Sequence, residues 1–246
     1  MSGPPDTLGH DKAPQRIAAM FDAIAPRYDL LNHVLSAGLD LRWRAKAVRS
    51  LGLTGGEKIV DLCTGTGDLA LALARARPRA GRVVGVDFSG GMLRVGRAKA
   101  CARGLADRIR LVRGDVTRLP LADGSADAAT VAFGIRNIQR PAEAFSEVFR
   151  VLRSGGRFAM LEFSTPSVPG LRGLYLWYFT RILPWAGALI SGHGSAYAYL
   201  PASVEAFPDP GRVTSDLAAT GFSHIRADPL ALGIVYLYSA RKPPRS

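Results

Sequence analysis

The feature that most constrains this chain is the run Val60-Asp61-Leu62-Cys63-Thr64-Gly65-Thr66-Gly67-Asp68, followed by Arg82-Val83-Val84-Gly85-Val86 and then Asp87. The first part reads as a buried strand entering a glycine loop and then a helix. The second reads as a neighbouring strand that ends in a carboxylate. Together they describe a nucleoside pocket, in which Gly65 and Gly67 let backbone amides approach a ligand and Asp87 can accept both ribose hydroxyls. The residue three after Gly67 is Ala70, which a dinucleotide fingerprint tolerates, so spacing alone leaves a dinucleotide open. Asp68 argues against it, because a diphosphate on the helix N-terminus would meet a carboxylate there. S-adenosylmethionine has no phosphate and carries a positive sulfonium, so an acidic loop suits it better.

The rest of the chain supplies the sheet around that pocket. Residues 14–25 carry Ile17, Met20, Phe21 and Ile24 at helical spacing, followed by a turn-prone stretch from Ala25 to Asn32. A second helix is predicted over 39–52, closing at Gly52. Strands are predicted at Lys58–Leu62, Arg82–Val86, Ile109–Arg113, Ala126–Phe133 and Arg157–Phe163, with helices at 68–76, 90–103 and 141–152 between them. Ser154-Gly155-Gly156 reads as the turn that closes the last of these helices. Such alternation signals a parallel sheet with helices on both faces. Phe222–Ala227 and Ala231–Ala240 read as a terminal hairpin around an Asp228-Pro229 turn, which forces antiparallel pairing. The expected fold is α/β, the Rossmann-like class I S-adenosylmethionine-dependent methyltransferase arrangement. Its seven-stranded mixed sheet has the last strand antiparallel, with helical N-terminal and lid segments added.

At 246 residues the chain fits one such domain, read here as 14–246 behind a loose polar tail at 1–13. A lid insertion at about 167–205 interrupts the rhythm with an apolar, aromatic segment over 169–192. A transmembrane helix needs about twenty uninterrupted apolar residues, and Arg181 with Pro184 breaks this run. Two readings of it stay open: a helix pair covering the pocket, or an interfacial segment against a bilayer. Two cysteines, Cys63 and Cys101, agree with a reducing compartment. Cys63 reads as a small apolar lining residue rather than a nucleophile. The net charge of +12 comes mostly from arginine, scattered rather than striped, and suits either nucleic acid or anionic membrane.

Ligands in open α/β sheets bind at the carboxyl ends of the strands. Loop one offers Gly65, Thr66 and Gly67, loop two offers Asp87, and loop three offers Asp115 and Val116 for the adenine amino group. Asp61 orients the loop or meets the methionine ammonium. Asp115 also reads as a solvent-facing turn acid, and Met92 as either an adenine flank or a core residue. After the central strand comes Phe133-Gly134-Ile135-Arg136-Asn137. The Asn/Asp-Pro-Pro-aromatic turn common in enzymes that methylate base amines is absent there. Arg136 and Asn137 suit an oxyanion, as when a phenol gives up its proton. The plainer reading pairs Arg136 with a core acid.

The chain resembles the quinone-biosynthesis C-methyltransferases, which methylate demethylmenaquinol and the related polyprenyl benzoquinol. The matching pieces are Met20-Phe21-Asp22, Tyr28 to Asn32, Asp61 to Asp68, Phe133 to Asn137, Leu161 to Pro166 and Tyr197-Ala198-Tyr199-Leu200-Pro201. They occur in the family's order. The resemblance implies S-adenosylmethionine held through Thr66, Asp87 and the Asp115-Val116 pair, with no metal expected. Ala132 stands where ubiquinone-pathway members tend to have serine, and with Cys63-Thr64 this looks more like the menaquinone branch. Family members often carry an acid near His193, which this chain lacks.

The reaction expected is C-methylation of demethylmenaquinol, with the ubiquinone-pathway benzoquinol as the alternative. Arg136 and Asn137 bind the developing phenolate and Tyr28 orients the ring. His193, with an unperturbed pKa of about 6.5, is a candidate proton acceptor, though it reads more readily as a surface-loop histidine. The 169–190 segment is the candidate route for the prenyl tail. The chain is expected in the cytoplasm, peripherally associated with membrane lipid and free of nucleic acid, with homo-oligomerisation left open. Rival classes are an RNA or DNA methyltransferase, which should show a clustered basic face, a nicotinamide-dependent oxidoreductase, and a non-catalytic membrane-binding protein.

Overall fold

The computed structural model describes residues 14–76, 80–166, 173, 177, 181 and 194–244. The expected tail at 1–13, His193 and nearly all of the 169–192 segment lie outside the described residues. Seven strands form one sheet: β1 (Lys58–Leu62), β2 (Arg82–Asp87), β3 (Ile109–Arg113), β4 (Ala126–Ala132), β5 (Leu152–Phe163), β6 (Ser223–Leu230) and β7 (Val235–Arg241). Their order is β3-β2-β1-β4-β5-β7-β6, and β7 runs antiparallel to both of its neighbours. The order reverses between β1 and β4, which opens the ligand crevice at the ends of those strands.

The helices are α1 (Pro14–Leu35), α2 (Leu39–Ser50), α3 (Asp68–Arg75), α4 (Gly90–Ala102), α5 (Pro141–Val151), α6 (Gly194–Glu205) and α7 (Pro210–Ala219). Side chains alternate across β1. Ile59 joins a core with Trp43, Leu51 and Leu73 from α2 and α3. Val60 and Leu62 join the opposite core with Phe145 and Val148 from α5 and Leu217 from α7. A central parallel strand is buried on both faces, which is why β1 and β4 read as apolar runs.

Three expectations are corrected. The predicted turn at 25–32 is helix: α1 continues through Pro26 to Leu35. Proline removes one ladder bond, but Ile24, Ala25 and Leu31 bury themselves around Met92 of α4, and that packing keeps the helix whole. The predicted turn at 154–156 is a bulge inside β5. The register jumps from Ala126–Leu152 to Ala128–Arg157, with Gly155 at φ +73° and its N–H donating to Lys242 O at 3.0 Å. The hairpin does not turn at Asp228-Pro229 either. Pro229 pairs with Tyr236 on the edge strand β6, where a missing N–H costs no ladder bond. The chain reverses at Ala231, Leu232 and Gly233, all at positive φ.

Gly85 is tightly packed beside the site. A Cβ there would lie 2.5 Å from Leu111 Cδ2 and 2.8 Å from Thr64 Oγ1. At Gly90 nothing stands within 4 Å. Gly85→Ala is therefore expected to destabilise the protein by about 1–3 kcal/mol, the usual cost of overpacking, while Gly90→Ala is neutral or slightly stabilising. Urea unfolding of the two variants side by side checks the contrast.

Candidate active site

The site is built from the carboxyl ends of β1, β2 and β4. Asp61 lies in register between Gly85 of β2 and Thr130 of β4. It is 1 % exposed, and its two oxygens accept from Thr130 Oγ1 and Thr64 Oγ1, each at 2.6 Å. Burial drives its pKa up to about 6, against those hydrogen bonds. Gly85 gives Thr64 room to fold back onto this carboxylate. The loop then runs through Gly65 and Gly67, both at positive φ, into α3.

Asp87 ends β2 and is held by backbone amides on both sides. Gly65 N–H donates to Oδ2 at 2.8 Å and Ser89 N–H to Oδ1 at 2.9 Å. A carboxylate has about four acceptor positions, so Asp87 keeps acceptor capacity for a ligand beside these amides. Burial raises its pKa, and Asp22 adds to the shift. Ser89 caps α4 by accepting from Met92 N–H and donates its own proton to Asp22 at 2.5 Å.

A network from α1, missed in the sequence, closes one side of the loop. Thr66 Oγ1 donates to Asp29 at 2.5 Å, and Lys99 bridges Asp29 and Asp68 at 2.5 Å each. The Thr66 hydroxyl is thus already bonded within the protein. Lys99 also answers the Asp68 charge, which weakens the electrostatic argument against a diphosphate drawn from the sequence alone. His33, Asp40 and Asp68 approach one another, but Arg44 already pairs with Asp40 as Lys99 does with Asp68. Lys99 reaches from α4 to Asp29 of α1 and Asp68 of α3, and no local spacing in the sequence encodes such contacts.

Two small adjoining hollows share Tyr28, Cys63, Gly65 and Ala132. The first is lined by Asp61, Thr64, Thr66 and Asp68. The second is lined by Asp87, Phe88, Met92, Phe133 and Asn137. Cys63 is half-buried; desolvation, with the Asp87 and Asp61 charges beside it, pushes its thiol pKa well up and leaves it a poor nucleophile at neutral pH. A Cβ on Gly134 would lie 2.3 Å from Cys63 Cβ, so the β1 and β4 loops touch only because Gly134 has none. Tyr28 projects from α1 with its pKa raised by burial, its ring edge-on to Phe21 at 6.0 Å.

Arg136 is 6 % exposed and lines neither hollow. Its Nη1 donates to Glu162 Oε1 at 2.8 Å and to the Phe133 carbonyl, while Glu162 Oε2 accepts its backbone N–H at 3.2 Å. The pairing with a core acid is therefore present, and Glu162, a site residue the sequence reading left without a role, is its partner. A lone carboxylate in the buried run Arg157–Phe163 was the available signal, since such a charge needs a cation. Asp115 is exposed and accepts from Thr117 N–H and Oγ1 at 2.8 and 2.7 Å, while Val116 packs into the core with Leu119. Neither lines the two hollows.

Residues 10–242 match the ubiE/COQ5 methyltransferase family. The chain belongs to that family. It is 52% identical over 221 residues to the ubiquinone/menaquinone biosynthesis C-methyltransferase UbiE of Syntrophotalea carbinolica, covering 89% of this chain and 91% of that one. It is 48% identical over 224 residues to the demethylmenaquinone methyltransferase of Thermus thermophilus, covering 91% of this chain and 100% of that one. Among solved structures, the [4+2]-cyclase SpnF superposes with a TM-score of 0.69 at 19% identity, over 94% of this chain and 96% of that one. A Thermotoga maritima S-adenosylmethionine-dependent methyltransferase gives 0.64 at 17% identity, over 91% and 98%. These two likenesses establish the fold. This ubiE/COQ5-family methyltransferase thus has the class I architecture expected from its strand order.

The raised pKa of Asp61 has a definite sign. An acid whose pKa is higher folded than unfolded favours the native state at low pH, and that advantage fades as pH rises from about 4 to about 6. Asp61→Asn removes the titration while keeping the shape and an acceptor for Thr130. The variant is expected to gain about 2–3 kcal/mol relative to the parent between pH 4 and pH 6, read by denaturant unfolding at stepped pH. A constant difference would place the Asp61 charge elsewhere.

Proposed function

We propose that this methyltransferase transfers the S-adenosylmethionine methyl group to a ring carbon of a polyprenyl quinol, with demethylmenaquinol as the substrate. The observation that carries this reading is that Asp87 lines the same hollow as Asn137 and Phe133. A ribose on Asp87 and an aromatic ring beside Asn137 then share one enclosure. The curated relatives named for menaquinone and ubiquinone biosynthesis support the quinol, and Ala132 with Cys63-Thr64 favours the menaquinone branch.

In this reading Gly65 and Gly67 present the loop to the nucleoside, Asp87 accepts its ribose hydroxyls, and Thr66 shapes the loop through its bond to Asp29. Asp115 and Val116 flank the adenine. Asp61 fixes Thr64, and with it the position of the loop. The donor supplies an electrophilic methyl carbon on a positive sulfur. Tyr28 orients the quinol ring while Arg136 and Asn137 stabilise the oxyanion left when a ring hydroxyl loses its proton. The ring carbon then bonds to the methyl carbon and the sulfur leaves with the bonding pair as a neutral thioether; loss of the ring proton from that carbon restores the aromatic ring as the oxygen regains a proton, so one proton is released to solvent per turnover. Positioning and charge stabilisation are the protein's share of this work.

Purified protein with S-adenosylmethionine and a short-prenyl demethylmenaquinol is expected to give product carrying one added ring methyl group, read by mass spectrometry. Turnover should require a reductant, because the oxidised quinone has no ring oxygen to ionise. Arg136→Ala would strand the buried Glu162 charge at a cost of about 3–5 kcal/mol, so Arg136→Lys is the better probe. It is expected to lower turnover at least about tenfold through loss of the guanidinium fork, with cofactor affinity by calorimetry unchanged. Normal turnover in Arg136→Lys would remove Arg136 from the chemistry.

Peripheral membrane association in the cytoplasm belongs to the same proposal. Among the described residues no helix is long and apolar enough to cross a membrane, and the +12 charge favours an anionic surface. Its scattered distribution does not favour nucleic acid, and self-association stays a question for sizing. Binding to vesicles rich in anionic lipid should be strong at low salt and fall as salt rises, each basic residue at the surface contributing about 1 kcal/mol. Flotation with neutral vesicles as the control reads this out, and equal binding to both would discard the electrostatic account.

A further inference from the structure

Beyond the residues placed above, three buried polar atoms have no hydrogen-bond partner among the described residues: Arg136 Nε, Asn137 Oδ1 and Tyr199 Oη. Their residues are 6, 8 and 3 % exposed, so water does not satisfy them cheaply. Arg136 and Asn137 are consecutive on the turn Ile135–Asn137, and α6 packs against that turn. Tyr199 comes from α6, close enough to feel the charges of both Arg136 and Glu162. Three such atoms are an ordinary number for a chain of this size; what marks them is that all three lie on or against one turn.

The chemistry of the orphans defines what fits. Arg136 Nε–H is a donor, Asn137 Oδ1 is an acceptor, and Tyr199 O–H can donate or accept. A phenolic hydroxyl offers one proton and an oxygen able to accept twice, which is the complement of this set. When the phenol ionises, Arg136 and Tyr199 keep two donors on its oxygen. Glu162 already balances the Arg136 charge, so the corner carries no net positive charge to attract a free anion. It favours a neutral phenol that ionises after binding.

We propose that Tyr199 Oη, Arg136 Nε and Asn137 Oδ1 together receive one ring hydroxyl of the substrate, and that Tyr199 is a catalytic residue of this enzyme. The proposal rests on the quinol reading above. It gives a role to the Tyr197–Pro201 segment, which neither the cofactor loops nor the phenolate corner explained.

Tyr199→Phe tests it, because the change deletes only the hydroxyl. Removing an unsatisfied buried hydroxyl should leave the melting temperature unchanged or raised, whereas losing a structural hydrogen bond would lower it. Turnover with a short-prenyl demethylmenaquinol is expected to fall about 10- to 100-fold, the loss of one hydrogen bond to a charged oxygen, with S-adenosylmethionine affinity unchanged. Losing a donor also raises the pKa of the bound quinol, so the rising limb of the rate–pH profile should move to higher pH. Parent-like turnover and pH profile in Tyr199→Phe, beside an active parent enzyme, would overturn the role of Tyr199 and leave the quinol reading standing. So would a loss of turnover matched by a lower melting temperature with the pH limb unmoved. A parent protein that binds S-adenosylmethionine yet never methylates the quinol would overturn both.

Discussion

Carboxylates buried at the ends of strands govern this structure. Asp61, Asp87 and Glu162 sit on β1, β2 and β5 at 1, 7 and 0 % exposure. A buried carboxylate is costly unless it is fully hydrogen-bonded, so each draws donors from the chain beside it. Asp61 takes a hydroxyl from Thr130 on β4, Asp87 takes the Gly65 amide from the β1 loop, and Glu162 takes the guanidinium and amide of Arg136 after β4. Each acid therefore fastens its own strand end to a loop or strand next to it. The crevice at the strand-order reversal is held in shape by these three attachments; Gly85 and Gly134 allow the close approaches beside them, and Gly65 supplies the positive φ of the loop.

What could be read in advance was whatever depends on short range. Strand β1, the glycine loop and the acid ending β2 follow from alternation and turn chemistry, and β1 and β3 fall at the predicted bounds. What could not be read depends on contact between distant segments. Pro26 looks like a helix stop locally, but the packing of α1 on α4 outweighs one lost ladder bond. Asp228-Pro229 looks like a turn, but on an edge strand proline costs little, and a run of positive-φ residues three positions on has no strong signature at Ala231 and Leu232.

The site shows the same division with more consequence. Asp87 could be placed beside the hollow from the sequence because its position follows from where a strand ends. The charge at Asp68 could be seen but its neutralisation could not, since Lys99 reaches it from another helix while also holding Asp29. An argument from an isolated charge in a sequence is thus only as good as the unseen counter-charge. Arg136 was legible both as an oxyanion ligand and as the partner of a core acid. The structure shows these are compatible, because the bond to Glu162 occupies Nη1 and leaves Nε unpartnered among the described residues.

That division of labour within one guanidinium explains how a neutral corner can serve an ionising substrate. A free arginine would bind any small anion and would swing among rotamers. Clamped by a fully buried glutamate and lying 5.4 Å from the Phe163 ring centroid, Arg136 loses that freedom before any ligand arrives, and its remaining N–H keeps a fixed direction. Preorganised donors of this kind act on charge as it develops, without a reorganisation cost at the moment of reaction. The expense falls on folding instead, since each unsatisfied buried polar atom costs about 1–3 kcal/mol. The SpnF likeness shows that this scaffold is not tied to one chemistry, so selectivity must reside in such local arrangements. In the proposed reading it lies in where β4 ends, which acid lies beside it on β5, and which hydroxyl α6 brings across.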